Sequence, residues 1–173
     1  MAQRIYLVST GGTIEKVYSE TSGTVKNVDF KLDRYLQQLR LPDLEIEAVR
    51  LMNKDSLEMT PADRDLILAT VRAKLAQQPA PFVITHGTDT MVETGMHLKN
   101  NLEVLPVPII LTGAMTPLGF ERSDGLQNLT ESMIAARILQ PGVWLIMHNE
   151  VFPIDRVRKD RDRAVFVLKE DAL

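Results

Sequence analysis

The 173-residue sequence contains no cysteine, which excludes disulfide bonds and catalysis by a thiolate. It also has no excess of basic residues: 20 lysines and arginines stand against 23 acidic residues, and the net charge of -3 argues against a nucleic acid partner. No run of about 18 apolar residues is present, and the first apolar stretch begins early and ends in Gly-Gly-Thr, so we expect neither a membrane span nor a signal peptide. A sequence of this kind is typical of a cytoplasmic protein.

Repeats, low-complexity tracts and metal-binding motifs are absent as well. The three histidines, His86, His97 and His148, are scattered along the chain, and none has a second ligand at zinc spacing. We therefore expect no metal and no other cofactor. The length, together with 45% hydrophobic and 25% charged residues, is typical of one globular domain, which we place at residues 1–173.

The chain is organised around its first apolar stretch, which begins at Ile5 and is broken by Gly11 and Gly12. Short apolar runs rich in β-branched residues predict buried strands, and the two glycines predict a tight turn where the strand ends. Thr13 then lies at the open end of a sheet, where ligands bind in parallel α/β folds. We take its hydroxyl as a candidate catalytic group, with the alternative that the glycines form only a turn and Thr13 only caps a helix.

Strands and helices alternate along the rest of the chain. Further strands are predicted at residues 44–51, 81–85, 107–111, 143–147 and 164–168. Helices are predicted at residues 32–39, from Pro61 after the N-cap Thr60, from Thr90 to about Asn101, and from Asp124 to Pro141. Thr90 with Glu93 and Asp124 with Gln127 have capping-box spacing. The alternation predicts a three-layer α/β/α sandwich with a mainly parallel sheet, Rossmann-like or flavodoxin-like, joined by right-handed crossovers.

Two polar segments without sustained periodicity are expected to be loops. Residues 15–31 contain Tyr18, whose phenol can donate or accept a proton if the loop covers the open end of the sheet as a mobile lid. The alternative is a surface turn with a half-buried tyrosine. Residues 155–163 mix basic and acidic side chains, as solvated loops do, and they also contain the lysine best placed to act as a base.

Polar residues follow two further strands at positions equivalent to Thr13. Asp55 and Ser56 lie between the second strand and its helix, and the sequence His86-Gly87-Thr88-Asp89 follows the third strand. If the strands are parallel, these residues converge with Thr13 on one pocket. A threonine hydroxyl is a weak nucleophile and needs a base, for which a neutral lysine beside a carboxylate is one route.

Three motifs make the sequence recognisable: Ser9-Thr10-Gly11-Gly12-Thr13-Ile14, Ile84-Thr85-His86-Gly87-Thr88-Asp89-Thr90, and Thr112-Gly113-Ala114-Met115 followed by Ser123-Asp124-Gly125. In this order and spacing they resemble the bacterial-type L-asparaginases, and the resemblance covers nearly the whole chain. Typical members of that family carry a second domain. This chain resembles their catalytic N-terminal domain alone and is similar to the short single-domain asparaginases.

The resemblance implies hydrolysis of L-asparagine to L-aspartate and ammonia through an acyl-enzyme, without a cofactor. It makes Thr13 the nucleophile that attacks the side-chain amide carbon. It also combines Thr88 and Asp89 with a lysine in a second triad.

Two further catalytic residues are assigned by the resemblance to the polar segments. Lys159 is the predicted lysine of the second triad, with Arg158 as the alternative because the charged segment is shorter than in longer family members. Tyr18 is the predicted tyrosine that contacts the nucleophile, although it lies closer to Thr13 in the sequence than the corresponding residue usually does.

The resemblance also implies how the substrate is held. Ser56 matches the serine that binds the α-carboxylate, and Leu57 replaces the glutamine that usually follows it. Asp89 would pair with the α-ammonium, while the N–H groups of Gly12 and Thr88 would form an oxyanion hole. The complete set of predicted substrate-binding residues is Gly12, Asp55, Ser56, Thr88, Asp89 and Ala114.

Two other functions stay open at this point. One keeps the chemistry but changes the substrate to glutamine, or makes the chain an ammonia-producing component of a transamidase. The other is a non-catalytic module that binds a nucleotide or another small ligand, with phosphate affinity at Gly11 and Gly12. We also expect a homo-oligomer, a dimer or tetramer, because surfaces that a second domain covers in longer family members would otherwise be exposed.

Overall fold

The computed structural model describes residues 3–28 and 30–169. The strands in these ranges are β1 (Gln3–Gly11), β2 (Lys16–Ser19), β3 (Thr24–Asn27), β4 (Leu44–Lys54), β5 (Phe82–Thr85), β6 (Pro108–Thr112), β7 (Gly142–Met147), β8 (Glu150–Pro153), β9 (Val157–Asp160) and β10 (Val165–Leu168). The helices are α1 (Leu32–Leu36), α2 (Pro61–Gln77), α3 (Met91–Asn101) and α4 (Gly125–Ile138). Short 3-10 turns lie at Thr13–Glu15, Ser56–Glu58 and Ile154–Arg156.

Six strands form the central sheet in the order β4-β1-β5-β6-β7-β8. The first five of these are parallel, and β8 is antiparallel to β7. Strand β4 lies on one side of β1 and β5 lies on the other, which is the order of flavodoxin-like folds. The predicted α/β fold with a mainly parallel sheet is confirmed. In such a sheet the ligand crevice lies beyond the carboxyl ends of β1 and β5.

Helices cover both faces of the sheet. Successive side chains of β1 point to opposite faces, so Tyr6 and Val8 join one core cluster while Ile5 and Leu7 join the other. Helices α2 and α3 contribute buried side chains to the first cluster, and α1 and α4 contribute to the second. The result is the three-layer arrangement. Within the described ranges, no helix is both long enough and apolar enough to cross a membrane.

Helix α2 begins where the sequence predicts it. The Thr60 hydroxyl accepts a hydrogen bond from the Asp63 N–H, and the Asp63 carboxylate accepts one from the Thr60 N–H, with Pro61 at the first helical position. The Lys54 ammonium lies 2.7 Å from the same carboxylate. This hydrogen bond from Lys54, together with those from Thr60, lowers the pKa of Asp63 to about 2.

The capping boxes predicted for α3 and α4 are wrong. Thr90 and Asp124 do precede these helices, but neither side chain caps its helix. The Thr90 hydroxyl instead donates to the Ser56 carbonyl at 2.8 Å, and the Asp124 carboxylate accepts from the N–H groups of Met115 and Thr116. Both side chains therefore bind neighbouring loops rather than their own helices, which the spacing of residues along one helix cannot reveal.

Both segments expected to be irregular loops contain antiparallel hairpins. Strand β2 pairs with β3 in the first segment, and β9 in the second segment pairs with β10. Strands β2, β3 and β9 are four residues long and mostly exposed or half-buried, so no clear alternation of apolar and polar residues marks them, whereas β10 forms at the strand predicted for residues 164–168. The loop predictions are wrong for this reason, and β8 is missed for the same reason.

Candidate active site

The turns after β1, β4, β5 and β6 meet at one edge of the sheet through glycines that leave no room for a side chain. A Cβ atom on Gly12, which has φ 79°, would overlap the backbone of Gly87. A Cβ atom on Gly87 would lie 2.5 Å from the Ser56 Oγ, and one on Gly113 would overlap the His86 carbonyl. Thr13, Thr88 and Ala114, which directly follow these glycines, therefore lie close together at the carboxyl ends of the strands.

Thr13 opens the 3-10 turn that follows β1, and it is half-buried. The preceding Gly12 donates its N–H to the Lys54 carbonyl at 2.8 Å and accepts a hydrogen bond from the Asn27 side-chain amide at 2.8 Å. Because its N–H is already donated to Lys54, Gly12 does not offer it to an oxyanion in this conformation. The predicted role of the Gly12 N–H is corrected accordingly, while its contact with Gly87 keeps Thr13 beside the turn after β5.

Lys159 lies against Thr88 and Asp89. Its ammonium donates to the Thr88 hydroxyl at 2.7 Å and to the Asp89 Oδ1 at 3.1 Å. Lys159 pairs with Phe166 in the β9–β10 hairpin, and side chains alternate along a strand, so the neighbouring Arg158 is exposed instead. The structure therefore brings Lys159, and not Arg158, to the two residues of the predicted triad.

A second cation, which the sequence interpretation missed, also contacts Asp89. The Arg161 guanidinium donates to the Asp89 Oδ1 at 2.7 Å. The sequence interpretation treated the mixed charges of this segment as solvated. The two-residue spacing of Lys159 and Arg161 could have predicted this contact. Side chains two residues apart in a strand point the same way, so both cations reach Asp89.

Ser56 is buried beneath these residues, with 1% of its surface exposed. Its carbonyl accepts the hydrogen bond from Thr90, whereas its Oγ has no hydrogen-bond partner among the residues that the structure describes. A buried hydroxyl without a partner is costly, so this group is available to a ligand. Its contact with Gly87 directs it toward the turn that carries Thr88 and Asp89.

Asp55 precedes Ser56 and accepts hydrogen bonds from the Leu57 N–H at 3.1 Å and the Lys16 ammonium at 2.6 Å. Partial burial is the largest influence on its carboxyl group and opposes ionisation. The hydrogen bonds from Lys16 and Leu57 outweigh it, so the pKa of Asp55 lies below its usual value. Through Lys16, the first residue of β2, Asp55 connects the β2–β3 hairpin to the site. The Leu57 side chain is exposed.

Tyr18 is not brought to the nucleophile. It lies on β2 opposite Val25, and 58% of its surface is exposed. No hydrogen bond in the described ranges joins its phenol to Thr13. Pairing within the hairpin holds this side chain on the outer part of the segment, so a contact with Thr13 requires the hairpin to move.

His86 does not enter the pocket with the two threonines as predicted. Its imidazole is fully buried, with Nδ1 at 2.8 Å from the Gly87 carbonyl and Nε2 at 2.8 Å from the Thr94 hydroxyl. A carbonyl only accepts, so Nδ1 carries the proton and Nε2 accepts from Thr94. Burial lowers the pKa of His86 to about 4. The neutral imidazole therefore supports the turn that carries Thr88.

Ala114 is fully buried in the turn after β6, and Asp124 organises this turn. The Asp124 carboxylate accepts hydrogen bonds from the N–H groups of Met115 and Thr116 at 2.9 to 3.0 Å, and it lies 2.7 Å from the His148 Nε2. Burial is the largest influence and opposes ionisation, but these hydrogen bonds outweigh it and lower the pKa of Asp124. Asp124 is a second residue whose role the sequence did not reveal.

The described residues contain no group of three or more histidine, aspartate or glutamate side chains that could hold a metal ion. What converges at the edge of the sheet is instead two hydroxyls, a carboxylate, a lysine and a buried serine. Such a set can carry out nucleophilic attack with proton transfer on a small polar substrate.

Comparison with known proteins agrees with these features. The family model described as "Asparaginase, N-terminal" matches residues 4–169. The chain is 36% identical over 162 residues to L-asparaginase 1 of Escherichia coli strain K12, covering 90% of this chain and 47% of that protein. It is 33% identical over 154 residues to a glutamyl-tRNA(Gln) amidotransferase subunit of Aeropyrum pernix, covering 86% of this chain and 35% of that protein.

Among solved structures, the fold is similar to that of the thermostable L-asparaginase from Thermococcus kodakarensis. The TM-score is 0.85 at 28% sequence identity, over 96% of this chain and 51% of that one. The chain thus spans about half the length of that structure and less than half of the two sequence relatives. Because the family model extends over almost all of its residues, the chain belongs to the asparaginase N-terminal family.

Proposed function

We propose that residues 1–173 act as a single catalytic domain that hydrolyses L-asparagine to L-aspartate and ammonia through an acyl-enzyme on Thr13. The observation that carries the proposal is the hydrogen bond from the Lys159 ammonium to the Thr88 hydroxyl, beside Asp89. The turn that bears Thr88 packs on Gly12, directly before Thr13. The names of the relatives from Escherichia coli and Thermococcus kodakarensis support the same activity.

In the proposed reaction, the Thr13 Oγ attacks the side-chain amide carbon of asparagine. For this step Lys159 is in its neutral amine form: it accepts the hydroxyl proton through the Thr88 hydroxyl and then passes it to the amide nitrogen, so the C–N bond breaks and ammonia leaves. Water then attacks the ester and regenerates the Thr13 hydroxyl. The Thr88 N–H is the proposed donor to the developing oxyanion, an interaction that usually contributes most in acyl transfer. In this reaction Tyr18 would contact Thr13 after the hairpin moves.

The amino-acid part of the substrate requires groups for its two charges. The buried Ser56 hydroxyl is the proposed donor to the α-carboxylate, because it has no partner among the described residues. Asp89 is the proposed partner of the α-ammonium. Both cations that the structure brings to Asp89 contact its Oδ1, which leaves Oδ2 for the ammonium. The proposed contributions of Asp55 and Ala114 are to hold the turns that line the pocket.

An ammonia-producing role in a transamidase is the second candidate function. It is favoured by the similarity to the Aeropyrum pernix amidotransferase subunit. A coupled assay of ammonia release from asparagine and from glutamine distinguishes the two. Release mainly from asparagine supports hydrolysis of that amino acid, and release mainly from glutamine supports the second function. No release from either, together with phosphate binding at Gly11 and Gly12, would leave only the binding module.

We also propose a homo-oligomer, a dimer or tetramer, in the cytoplasm. The proposal is supported by apolar side chains that lie exposed on α4 and β8, namely Ile134, Ile138 and Val151. Burial of such a patch against another copy would remove it from water. Light scattering at micromolar concentration tests the assembly, and a single monomeric species would contradict it.

A further inference from the structure

Two cations share one carboxylate oxygen at the mouth of the site. The Lys159 ammonium and the Arg161 guanidinium lie 3.1 and 2.7 Å from the Asp89 Oδ1. The nearest acidic residue along the strand, Asp160, points the other way and accepts a hydrogen bond from the Arg163 N–H. One carboxylate oxygen therefore receives both groups, and the Arg161 guanidinium keeps further N–H groups that can bind an anion.

The two cations differ in their accessibility. The Lys159 side chain is 16% exposed and the Asp89 side chain is 26% exposed, whereas 65% of the Arg161 side chain is exposed. Lys159 is thus enclosed between Thr88 and Asp89, and Arg161 lies at the rim. One of its N–H groups is donated to Asp89. The others face outward in the planar arrangement that matches a carboxylate.

Ser56 lies on the inner side of the same region. It packs against Gly87, two residues before Asp89, and its carbonyl is held by Thr90, the residue after Asp89. The exposed Leu57 side chain beside it carries no hydrogen-bond donor. An α-carboxylate bound at Ser56 therefore needs a second donor from another residue, and Arg161 is a cation held to the same turn through Asp89.

We propose that Arg161 binds the α-carboxylate of the substrate and thereby selects amides that carry this group. The inference rests on the proposed function and deepens it. In this arrangement Asp89 has two tasks, since its Oδ1 holds the Arg161 guanidinium in place and its Oδ2 receives the α-ammonium. The substrate is recognised through both charges, and Arg161 remains apart from the bond that breaks.

The first test is a pair of arginine variants in one turn. Arg161→Met keeps the unbranched apolar part of the side chain and removes its charge, and Arg163→Met removes an exposed arginine from the same turn. We expect Arg161→Met to raise KM for asparagine about tenfold, because the substrate loses one partly exposed hydrogen bond to a charged group. We expect kcat to change less than about threefold. Arg163→Met should match the wild type in both. An unchanged KM in Arg161→Met overturns the inference.

The second test separates the two charges of the substrate. Succinamate has the carboxylate without the ammonium, and 3-aminopropanamide has the ammonium without the carboxylate. Calorimetry should show that Arg161→Met weakens succinamate binding about tenfold but does not weaken 3-aminopropanamide binding. If Arg161 only positions Asp89, the variant instead weakens 3-aminopropanamide binding and leaves succinamate unchanged. A wild-type protein that does not bind succinamate also overturns the inference.

These measurements separate the inference from the proposed function. A wild-type protein that releases no ammonia from asparagine refutes the proposed function, whatever the calorimetry shows. Release of ammonia with no effect of Arg161→Met on KM or on succinamate binding refutes the inference alone. The exposed position of Arg161 means that the substitution leaves the core intact.

Discussion

Protonation of His86 should make the protein less stable in mild acid. The unfolded chain has an ordinary histidine with a pKa of 6.5, whereas burial lowers the pKa of His86 in the folded protein to about 4. Between these values the unfolded chain binds a proton that the folded protein does not. The free energy of unfolding therefore falls as the pH falls through this window, and the full contribution is present only above pH 6.5.

The size of the effect follows from the two pKa values. Between pH 7 and pH 4.5, protonation of His86 in the unfolded chain lowers the free energy of unfolding by about 2 kcal/mol. This value follows from roughly 1.4 kcal/mol for each pH unit over which only the unfolded chain is protonated. The imidazole is fully buried between the Gly87 carbonyl and the Thr94 hydroxyl, so solvent does not screen it. Because His86 supports the turn that bears Thr88, we expect activity to be lost together with stability.

Urea denaturation followed by the fluorescence of the single tryptophan, Trp144, measures this contribution. The free energy of unfolding is compared at pH 7 and pH 4.5 for the wild type, His86→Gln and His97→Gln. His86→Gln is expected to be less stable than the wild type at both pH values. Its free energy of unfolding should, however, fall by about 2 kcal/mol less than that of the wild type from pH 7 to pH 4.5. The variant at position 97 keeps His86 and should keep that loss. A difference below about 0.5 kcal/mol between wild type and His86→Gln would refute the reasoning.

Three further predictions test the site and the fold. Thr13→Ala should reduce ammonia release by about a thousandfold or more with the fold intact, and retention of more than about a tenth of the activity would exclude a covalent role. Lys159→Arg should be as inactive as Lys159→Met, because an arginine does not give up its proton, so full activity in the arginine variant would assign the base elsewhere. Thr60→Ala should lower the free energy of unfolding by about 1 kcal/mol through loss of the α2 cap without changing kcat, whereas Thr70→Ala on the same helix should change stability by less than about 0.5 kcal/mol.

The edge of the sheet where the site lies could be predicted from local chemistry. The apolar run before Gly11 and the one before Gly87 form β1 and β5, and their turns deliver Thr13 and Thr88 to the same edge. The N-cap at Thr60 also forms as predicted, because all of its partners lie within four residues. Each of these features depends on propensity and short-range hydrogen bonds, which the order of residues contains.

The roles of polar side chains at longer range could not be predicted in the same way. Asp124 and Thr90 have the spacing of helix caps, yet each binds a different loop because the folded chain offers it donors or acceptors in better positions. His86 has the position of a pocket residue, yet its side chain points into the core and is satisfied there. A local pattern cannot distinguish these outcomes, because the competing partners are distant in sequence.

The sequence by itself determined the alternation of strands and helices, the family motifs and the placement of hydroxyls and carboxylates after the strands. Only the tertiary structure decided which cations reach Asp89. Lys159 and Arg161 are separated from it by 70 and 72 residues, and the short β9–β10 hairpin sets their register. A shift of one residue in that register would point Arg158 inward and Lys159 to solvent, since neighbouring side chains of a strand face opposite ways. The charged segment carries no clear hydrophobic alternation to specify the register in advance. In the folded protein Val157 and Phe166, on the same face of the hairpin as Lys159, are buried in the core and fix it.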